Sequence, residues 1–344
     1  MSDIKQPRVM ACRLRAVVWG WAGLCVLTCL ASVRWFSDPS HFPEVERAPL
    51  ISTPDGAMGY LPPPGVSREM RWRREAVQAA CAGTAGSTSF SDAAARLSYD
   101  PKMLINLLVD DKNRVLYCYV PKVACTNWKR MMLILSGASN ETNPQRIPAD
   151  SVHRKNVFTK LSDLKPDDIQ HRLLTYSKFL FVRHPVERVI SAFRNKFEMN
   201  YTSSAYFKKR FGVKIMKKYR KGVSPRSIPN TGHGVKFPEF VSYLIDTKKE
   251  QFNEHWALVS SLCYPCDVNY DYIGKYETLA DDSQYILEQI GAPPFLHFPE
   301  VVPSKTSAVV ETYFNSLTPQ QQSDLVKIYK DDFQIFDYHF RDFI

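Results

Sequence analysis

The residues best suited to chemistry lie in one stretch, where an apolar run ends at Pro121 and a helical pattern begins a few residues later. The run before the proline favours a strand, and Thr126 or Asn127 is expected to cap the helix. The free N–H groups and the positive dipole end of such a helix bind phosphate-type anions. Lys122 would add a mobile positive charge, and the Thr126 hydroxyl a donor.

A nucleoside-triphosphate loop is excluded here. That motif needs two glycines around its phosphate-binding turn, and no glycine occurs between Arg114 and Leu135. The pattern alone leaves two interpretations open. One is a cradle for a phosphate or phosphosulfate group, and the other is an ordinary strand-to-helix corner that exposes a lysine.

A second strand-to-helix junction follows at Arg183, where the strand predicted over residues 178–182 ends and Pro185 can begin a helix. Apolar residues from Val186 to Phe193 are spaced to face the core. The alternation of strands and helices predicts an α/β fold with a central parallel sheet flanked by helices. Because ligands of such sheets bind at the carboxyl ends of the strands, both junctions are expected to reach one ligand.

Further elements complete this prediction. Strands are expected over residues 115–120 and 270–276. Helices are expected over residues 101–109, 167–174, 237–245, 256–262, 283–290 and 319–329.

These motifs resemble those of a known family. Residues 121–130, Pro-Lys-Val-Ala-Cys-Thr-Asn-Trp-Lys-Arg, are similar to the 5′-phosphosulfate loop of the Golgi carbohydrate sulfotransferases. The group includes the chondroitin, dermatan and N-acetylgalactosamine 4-O-sulfotransferases and the HNK-1 sulfotransferase. Residues 181–197 resemble the 3′-phosphate motif of that family. The resemblance covers residues 98–344 and implies a P-loop-like sulfotransferase fold. Three shorter matches follow at residues 253–256, 262–266 and 274–279.

The resemblance implies that the donor is 3′-phosphoadenosine 5′-phosphosulfate (PAPS) and that no metal is required. It assigns the 5′-phosphosulfate to Pro121, Lys122, Val123, Ala124, Cys125, Thr126, Asn127, Trp128, Lys129 and Arg130. It assigns the 3′-phosphate motif to Arg183, His184, Pro185, Val186, Glu187, Arg188, Val189, Ile190 and Ser191. Lys122 would stabilise the oxygen that leaves sulfur, and Arg183 and Ser191 would bind the 3′-phosphate. At His184 the family commonly has an acidic residue.

The acceptor hydroxyl needs a general base, and a histidine suits this role near neutral pH. The resemblance places the base in the segment after the helix that follows the Lys122 loop, where His153 is the first candidate. His255, in the sequence Asn-Glu-His-Trp, is the second, and an isolated histidine can also be structural. The predicted catalytic residues are therefore Lys122, His153 and His255.

The net charge of +10 predicts a polyanionic partner. Residues 205–226 contain nine lysines and arginines and no acidic residue, which favours an acidic glycosaminoglycan over a merely solvated surface. Together with the resemblance, this makes the 4-hydroxyl of N-acetylgalactosamine in chondroitin or dermatan sulfate the expected acceptor. Terminal N-acetylgalactosamine on glycoprotein glycans is the alternative.

The N-terminal segment predicts the topology. Residues 16–33 carry no charge and follow a basic segment, which is typical of a type II membrane anchor; a cleaved signal peptide is the competing interpretation. The basic domain would then lie in the Golgi lumen, away from nucleic acid. The predicted segments are a cytosolic tail (1–15), a transmembrane signal anchor (16–36), a lumenal stem (37–97) and the catalytic domain (98–344).

Five of the eight cysteines follow the predicted anchor, and in the lumen they could form disulfides. Cys263 and Cys266 lack a second pair at zinc-finger spacing, so a disulfide role is favoured over metal, with open connectivity. An odd count leaves at least one thiol free or bonded between chains. Asn140 and Asn200 begin glycosylation sequons.

The sequence supports two functions of other classes less well. A phosphotransferase would need a glycine-rich loop and a carboxylate placed for Mg²⁺, and neither is evident in the sequence. A non-catalytic lumenal glycan-binding protein would account for the basic segment, but it would leave the two phosphate motifs without a purpose.

Overall fold

A computed structural model describes residues 51–52, 58–59, 65–82, 89–300 and 309–339. The predicted cytosolic tail and signal anchor, residues 1–15 and 16–36, lie outside the described residues. Within the described ranges, no helix is both long enough and apolar enough to cross a membrane.

The central sheet has four strands in the spatial order β3-β4-β5-β6. Strands β4, β5 and β6 are parallel, with Val115 opposite Ser177 and Phe179 opposite Tyr272. Strand β3 is antiparallel to β4, so the prediction of a parallel sheet is wrong at this edge. The strands are β1 (Ile51–Ser52), β2 (Met58–Gly59), β3 (Leu107–Asp110), β4 (Val115–Cys118), β5 (Ser177–Val182) and β6 (Tyr272–Lys275), with β1 and β2 paired antiparallel.

The edge strand β3 replaces most of the helix predicted over residues 101–109. Only Pro101–Leu104 is helical, as a 3₁₀ turn, and all four residues of β3 are buried. A short, continuous apolar run has the same pattern in a buried strand as in a buried helix, which explains the error. The turn that follows is closed by Asn113, whose side-chain amide donates to Asp110 Oδ2 at 2.6 Å.

Helices flank this sheet. Before β6 they are α1 (Val66–Ala82), α2 (Phe90–Tyr99), α3 (Cys125–Leu135), α4 (Pro166–Thr175), α5 (Pro185–Phe193), α6 (Thr202–Phe207), α7 (Val213–Tyr219), α8 (Phe237–Ile245), α9 (Val259–Cys263) and α10 (Pro265–Val268). After β6 they are α11 (Leu279–Gln289), α12 (Val310–Asn315), α13 (Pro319–Ile328) and α14 (Lys330–Ile335). The predicted helices of α4, α8, α11 and α13 are confirmed within a few residues at each end.

Helix α3 packs on the sheet through Trp128, which is fully buried. Its ring centroid lies 4.6 Å from that of Phe179 and 5.2 Å from that of Phe181. The ring of Phe181 in turn lies over Gly274 in the neighbouring strand. A Cβ atom at position 274 would come within 2.3 Å of that ring. The glycine therefore makes room for the aromatic stack that supports α3.

The compact unit that holds the sheet includes α1 and α2, upstream of the predicted domain boundary at residue 98. Arg73 in α1 is buried and pairs with Asp282 at 2.6 Å. A disulfide joins Cys81 at the end of α1 to Cys266. Helix α1 packs on β6 and α11, so residues 66–82, which lie within the predicted stem, belong to the same compact unit as the sheet.

The disulfides pair both cysteines of the C-x-x-C motif with distant partners. Cys118 at the end of β4 is bonded to Cys263, and Cys266 is bonded to Cys81. The predicted disulfide role of the motif is confirmed. Cys125 is the free cysteine among the described residues. The motif thus ties the segment after α9 to α1 and to the strand before the predicted phosphosulfate loop.

Candidate active site

The carboxyl ends of the three parallel strands bring the two predicted anion motifs together. The loop with Lys122 follows β4, Arg183 follows β5 and Tyr276 follows β6. The Arg183 guanidinium lies 4.2 Å from the centroid of the Tyr276 ring. Arg183 is also close enough to Lys122 to lower the pKa of its ammonium. The two cations therefore belong to one site.

The loop before α3 adopts a conformation that is unusual for residues other than glycine. Lys122 has φ of 76° and Ala124 has φ of 63°, in the left-handed region that costs such residues free energy. Ala124 is the N-cap of α3, and no side chain caps the helix. The expectation that Thr126 or Asn127 would cap it is wrong, because the helix begins earlier, at Cys125. The first N–H groups of α3 thus keep their capacity to bind an anion.

Both expected caps have other partners. Thr126 Oγ1 lies 3.0 Å from Nε2 of His153, and Asn127 Oδ1 accepts from Arg130 Nη1 at 3.0 Å. Val123 and Trp128 are buried in the core, whereas the Lys129 ammonium lies 3.8 Å from the centroid of the Tyr119 ring. The predicted loop therefore divides into side chains that support it and side chains that face the site.

Lys122 is held in a strongly unfavourable environment for a cation. Burial lowers the pKa of its ammonium to about 8, against a partly compensating effect of Cys125 and with further lowering by Lys196, Arg183 and Arg188. A buried cation among other cations is stabilised by any anion that enters. The arrangement therefore favours a ligand with several negative charges.

Lys196 belongs to this group and was not predicted. It is 7% exposed, lies 4.4 Å above the Phe207 ring, and forms no hydrogen bond or ion pair with the described residues. Its charge lowers the pKa of Lys122, His153 and His255 alike. Lys196 lies in a π-helical turn, Arg194–Glu198, that follows α5. Sequence periodicity assumes 3.6 residues per turn and therefore cannot place this side chain, although an unpaired lysine beside Phe197 is a weak signal.

Both predicted histidines lie in the site and are near each other. His255 Nδ1 lies 2.7 Å from Asn253 Oδ1, and its ring packs edge-on against Phe207. Desolvation, then the charges of Lys196 and Lys122, lower the pKa of His255 to about 2. Because the Asn253 oxygen can only accept, Nδ1 donates to it, and Nε2 keeps a lone pair. Nε2 of His255 is therefore able to take a proton.

His153 is the last residue of the 3₁₀ turn Ser151–His153 and is exposed. Desolvation, then the charges of Lys129 and Lys196, lower the pKa of His153 to about 4. Both imidazoles are thus neutral at physiological pH, which a general base requires. They differ in that Nε2 of His153 is already hydrogen-bonded to Thr126.

The residues of the second motif have unequal roles. Arg183 is buried and donates to Glu187 Oε2 from Nη2 at 2.8 Å and from Nε at 3.1 Å. The backbone N–H of His184 donates to Glu277, and the His184 ring packs edge-on against Phe333 and Tyr338. Ser191 is partly exposed on α5. The side chains buried in the core are those of Pro185, Val186, Val189 and Ile190.

Arg188 is fully buried, and its side chain is hydrogen-bonded to the backbone. Its guanidinium donates to the carbonyl oxygens of Pro121 at 3.0 Å, Ala257 at 2.5 Å and Glu254 at 3.0 Å. It therefore holds the loop that carries Lys122 against the segment that carries His255. The structure places it as a positioning residue between the two.

Comparison with known proteins agrees with this geometry. Residues 106–339 match the profile described as the sulfotransferase family. The chain is 45% identical over 243 residues to carbohydrate sulfotransferase 11 of Mus musculus, covering 69% of this chain and 68% of the relative. It is 42% identical over 239 residues to carbohydrate sulfotransferase 14 of Danio rerio, covering 69% and 63%.

A third relative, carbohydrate sulfotransferase 8 of Homo sapiens, is 37% identical over 278 residues, covering 79% of this chain and 63% of the relative. No solved structure gives a significant match. The profile covers most of the described domain, including the loop at Lys122, the motif at Arg183 and both histidines. The chain therefore belongs to the sulfotransferase family, within the group of carbohydrate sulfotransferases, which use PAPS as the sulfate donor.

Proposed function

We propose that the enzyme transfers the sulfuryl group of PAPS to the 4-hydroxyl of N-acetylgalactosamine in chondroitin or dermatan sulfate. The observation that carries the proposal is the group of cations formed by half-buried Lys122 with buried Lys196 and Arg183, beside the uncapped N-terminus of α3. Several cations and free N–H groups at one point suit a donor with two anionic ends.

In this proposal Lys122 and the first N–H groups of α3 bind the 5′-phosphosulfate, and Arg183 with Ser191 binds the 3′-phosphate. The bond between sulfur and the bridging oxygen breaks, and a new bond forms between sulfur and the acceptor oxygen. Adenosine 3′,5′-bisphosphate leaves, and negative charge builds on its former bridging oxygen. Lys122 and Lys196 are the cations able to stabilise that charge from fixed positions.

The acceptor hydroxyl loses its proton to a histidine. His153 remains the candidate that the resemblance favours. The geometry supports His255 as strongly, because Asn253 fixes its tautomer and leaves Nε2 without a protein partner among the described residues. The two assignments are separated by activity: the base is the histidine whose replacement by alanine abolishes transfer while donor binding is retained.

The acceptor class rests on the basic segment, residues 205–226. Two of its nine cations form ion pairs, Lys218 with Asp246 and Arg220 with Glu239, and buried Lys208 is hydrogen-bonded to Asn200. The remaining six side chains are exposed and form no ion pair with the described residues. This surface supports an acidic glycosaminoglycan, with terminal N-acetylgalactosamine on glycoprotein glycans as the alternative.

We propose that the domain works in the Golgi lumen behind a single-pass type II anchor, with no nucleic acid partner. Two disulfides among the described residues suit an oxidising compartment. The sequon asparagines, Asn140 and Asn200, are both exposed and are proposed glycosylation sites. Treatment of secreted and cell-retained forms with an N-glycosidase would show a mobility shift if either site carries a glycan.

The test of the reaction uses radiolabelled PAPS and an acceptor screen. Lys122→Ala is expected to abolish transfer to every acceptor while the protein stays folded. Lys112→Ala, which removes an exposed lysine in the turn after β3, is the matched control and should retain activity. Chondroitinase digestion of the product then identifies the acceptor, because only chondroitin or dermatan yields sulfated disaccharides. A folded Lys122→Ala enzyme with normal turnover would refute the mechanism.

A further inference from the structure

A cavity separate from the Lys122 loop lies on the basic segment, residues 205–226. It has a volume of about 370 Å³, within the range of small-ligand sites of roughly 300–1,000 Å³. Helix α7 and the π-helical turn before it form one wall, and the end of α8 with the following segment forms the other. The lining residues are Arg210, Phe211, Lys214, Lys218, Tyr219, Tyr243, Asp246, Thr247 and Gln251.

The chemistry of the lining is that of a site for an anionic sugar. Phe211 and Tyr219, which are partly exposed, provide aromatic surface on which the C–H face of a pyranose ring can pack, and Tyr243 lies buried at the base of the cavity. Arg210 and Lys214 are exposed and have no ion-pair partner in the part of the chain that the structure describes. Both lie against these rings, with Arg210 5.4 Å from the Phe211 centroid and Lys214 5.9 Å from that of Tyr243.

The one carboxylate in the lining is already engaged. Asp246 accepts from Lys218 at 2.8 Å and from the Tyr219 hydroxyl at 2.9 Å, and these bonds lower the pKa of Asp246. Its charge is thus matched by Lys218. The positive charges of Arg210 and Lys214 remain for a ligand.

The cavity wall is built rigidly. The π-helical turn Lys208–Gly212 carries both Arg210 and Phe211. The Lys208 ammonium is buried and donates to Met199 O at 2.9 Å and to Asn200 Oδ1 at 2.7 Å. This anchor fixes the turn that presents the cation and the aromatic ring to the cavity.

A continuous aromatic contact joins this cavity to the active site. The rings of Phe211 and Phe207 are stacked with centroids 5.9 Å apart, and the Phe207 ring lies 5.0 Å from that of His255. Phe207 also lies beneath the Lys196 ammonium. One aromatic side chain therefore separates the wall of the cavity from a candidate base, so the cavity and the active site are neighbours in the fold.

We propose that this cavity is a subsite for a uronate residue of the acceptor chain, some sugars away from the residue that receives sulfate. The carboxylate would bind Arg210 and Lys214, and the sugar ring would pack on Tyr219, which is partly exposed. The inference rests on the proposed glycosaminoglycan acceptor. It adds a binding site that selects polymeric, carboxylated acceptors over short neutral ones.

The test compares two double variants of equal charge in the full-length enzyme. Arg210→Gln/Lys214→Gln removes the two cations of the cavity. Lys217→Gln/Lys221→Gln removes two exposed cations of the same segment that do not line it. The acceptors are unsulfated chondroitin and its carboxyl-reduced derivative. We expect the first variant to raise KM for chondroitin about tenfold, the low end for charge-assisted hydrogen bonds, with kcat unchanged.

With carboxyl-reduced chondroitin the two variants should have the same KM. The subsite would be refuted if both variants raised KM for chondroitin equally. It would also be refuted if the first variant raised KM for the carboxyl-reduced polymer as much as for chondroitin. Calorimetry with a chondroitin octasaccharide separates this outcome from failure of the proposed function. If no sulfate is transferred but the octasaccharide binds and the first variant alone weakens it, the subsite stands and the reaction is misassigned. No binding by the wild-type enzyme would reject both.

Discussion

The titration of Lys122 gives a quantitative test of the active site. Burial lowers the pKa of its ammonium to about 8, so about 90% of the side chains are charged at pH 7 and about 10% at pH 9. A bound anion favours the charged form and raises this pKa. Above pH 8 binding of the anion must therefore be accompanied by uptake of a proton from solvent at Lys122, and the affinity for adenosine 3′,5′-bisphosphate should fall about tenfold between pH 7 and pH 9.

The assay is isothermal calorimetry at pH 7, 8 and 9, repeated in buffers with different ionisation enthalpies to count the protons taken up. The ligand does not confound the measurement, because the second ionisation of a phosphate, with a pKa near 6, is nearly complete at pH 7. Lys196 also has a pKa lowered by burial, so the fall can exceed tenfold. Because the unfolded chain binds the Lys122 proton more tightly than the folded protein does, the free energy of unfolding of the unliganded protein should increase as pH rises above about 8.

Lys122→Arg is the decisive control, since a guanidinium stays charged throughout this interval. Its affinity should depend much less on pH than that of the wild type. Cys125→Ala removes the group that partly compensates the lowering of the Lys122 pKa, so the fall in its affinity should begin at a lower pH than in the wild type. Wild-type affinity that is constant from pH 7 to pH 9, or an equally steep fall in Lys122→Arg, would refute the assignment.

Three further predictions concern other parts of the fold. Lys196→Met should lower kcat about 10²-fold, as removal of one fixed transition-state donor does; a change in donor Kd alone, measured by calorimetry, would contradict this role. Gly274→Ala should reduce the free energy of unfolding by about 1–3 kcal/mol in urea titration, because its Cβ would overlap the Phe181 ring. Replacing Cys118 and Cys263 together by alanine should reduce the free energy of unfolding by at most about 5 kcal/mol, because the disulfide closes a loop with a sequence separation of 145. Thermal unfolding identical to that of the wild type would contradict the disulfide.

The two anion motifs were predictable because strand-to-helix junctions depend on local sequence. Residues 116–120 and 178–182 are apolar runs that end at a proline or before one, and in a parallel sheet their ends must meet at one edge. The helix cap was mispredicted because capping preferences assume a side-chain acceptor. Ala124 instead ends the loop in the left-handed conformation, which no propensity scale favours for alanine.

What the sequence could not provide was long-range pairing. The pairing of Arg73 with Asp282 crosses 209 residues, and the helix that carries Arg73 was assigned to the stem for lack of any local sign of its partner. Lys196 was missed for another reason. Its side chain lies in a π-helical turn, where the 3.6-residue period no longer applies, so periodicity does not fix the direction in which this lysine points.

Arg183 and Arg188 show why two arginines of one motif have different roles. Arg183 precedes helix α5 and is oriented by Glu187 in the first turn of that helix, and it lies over Tyr276 at the end of the neighbouring strand. Arg188 lies within α5 and is fully buried, and its guanidinium donates three hydrogen bonds to backbone carbonyls instead of binding a ligand. Two of these carbonyls flank His255, and the third precedes Lys122. Arg188 therefore sets the distance between Lys122, the cation at the leaving group, and His255, the candidate base. It does so through the backbone, because it forms no hydrogen bond with either side chain.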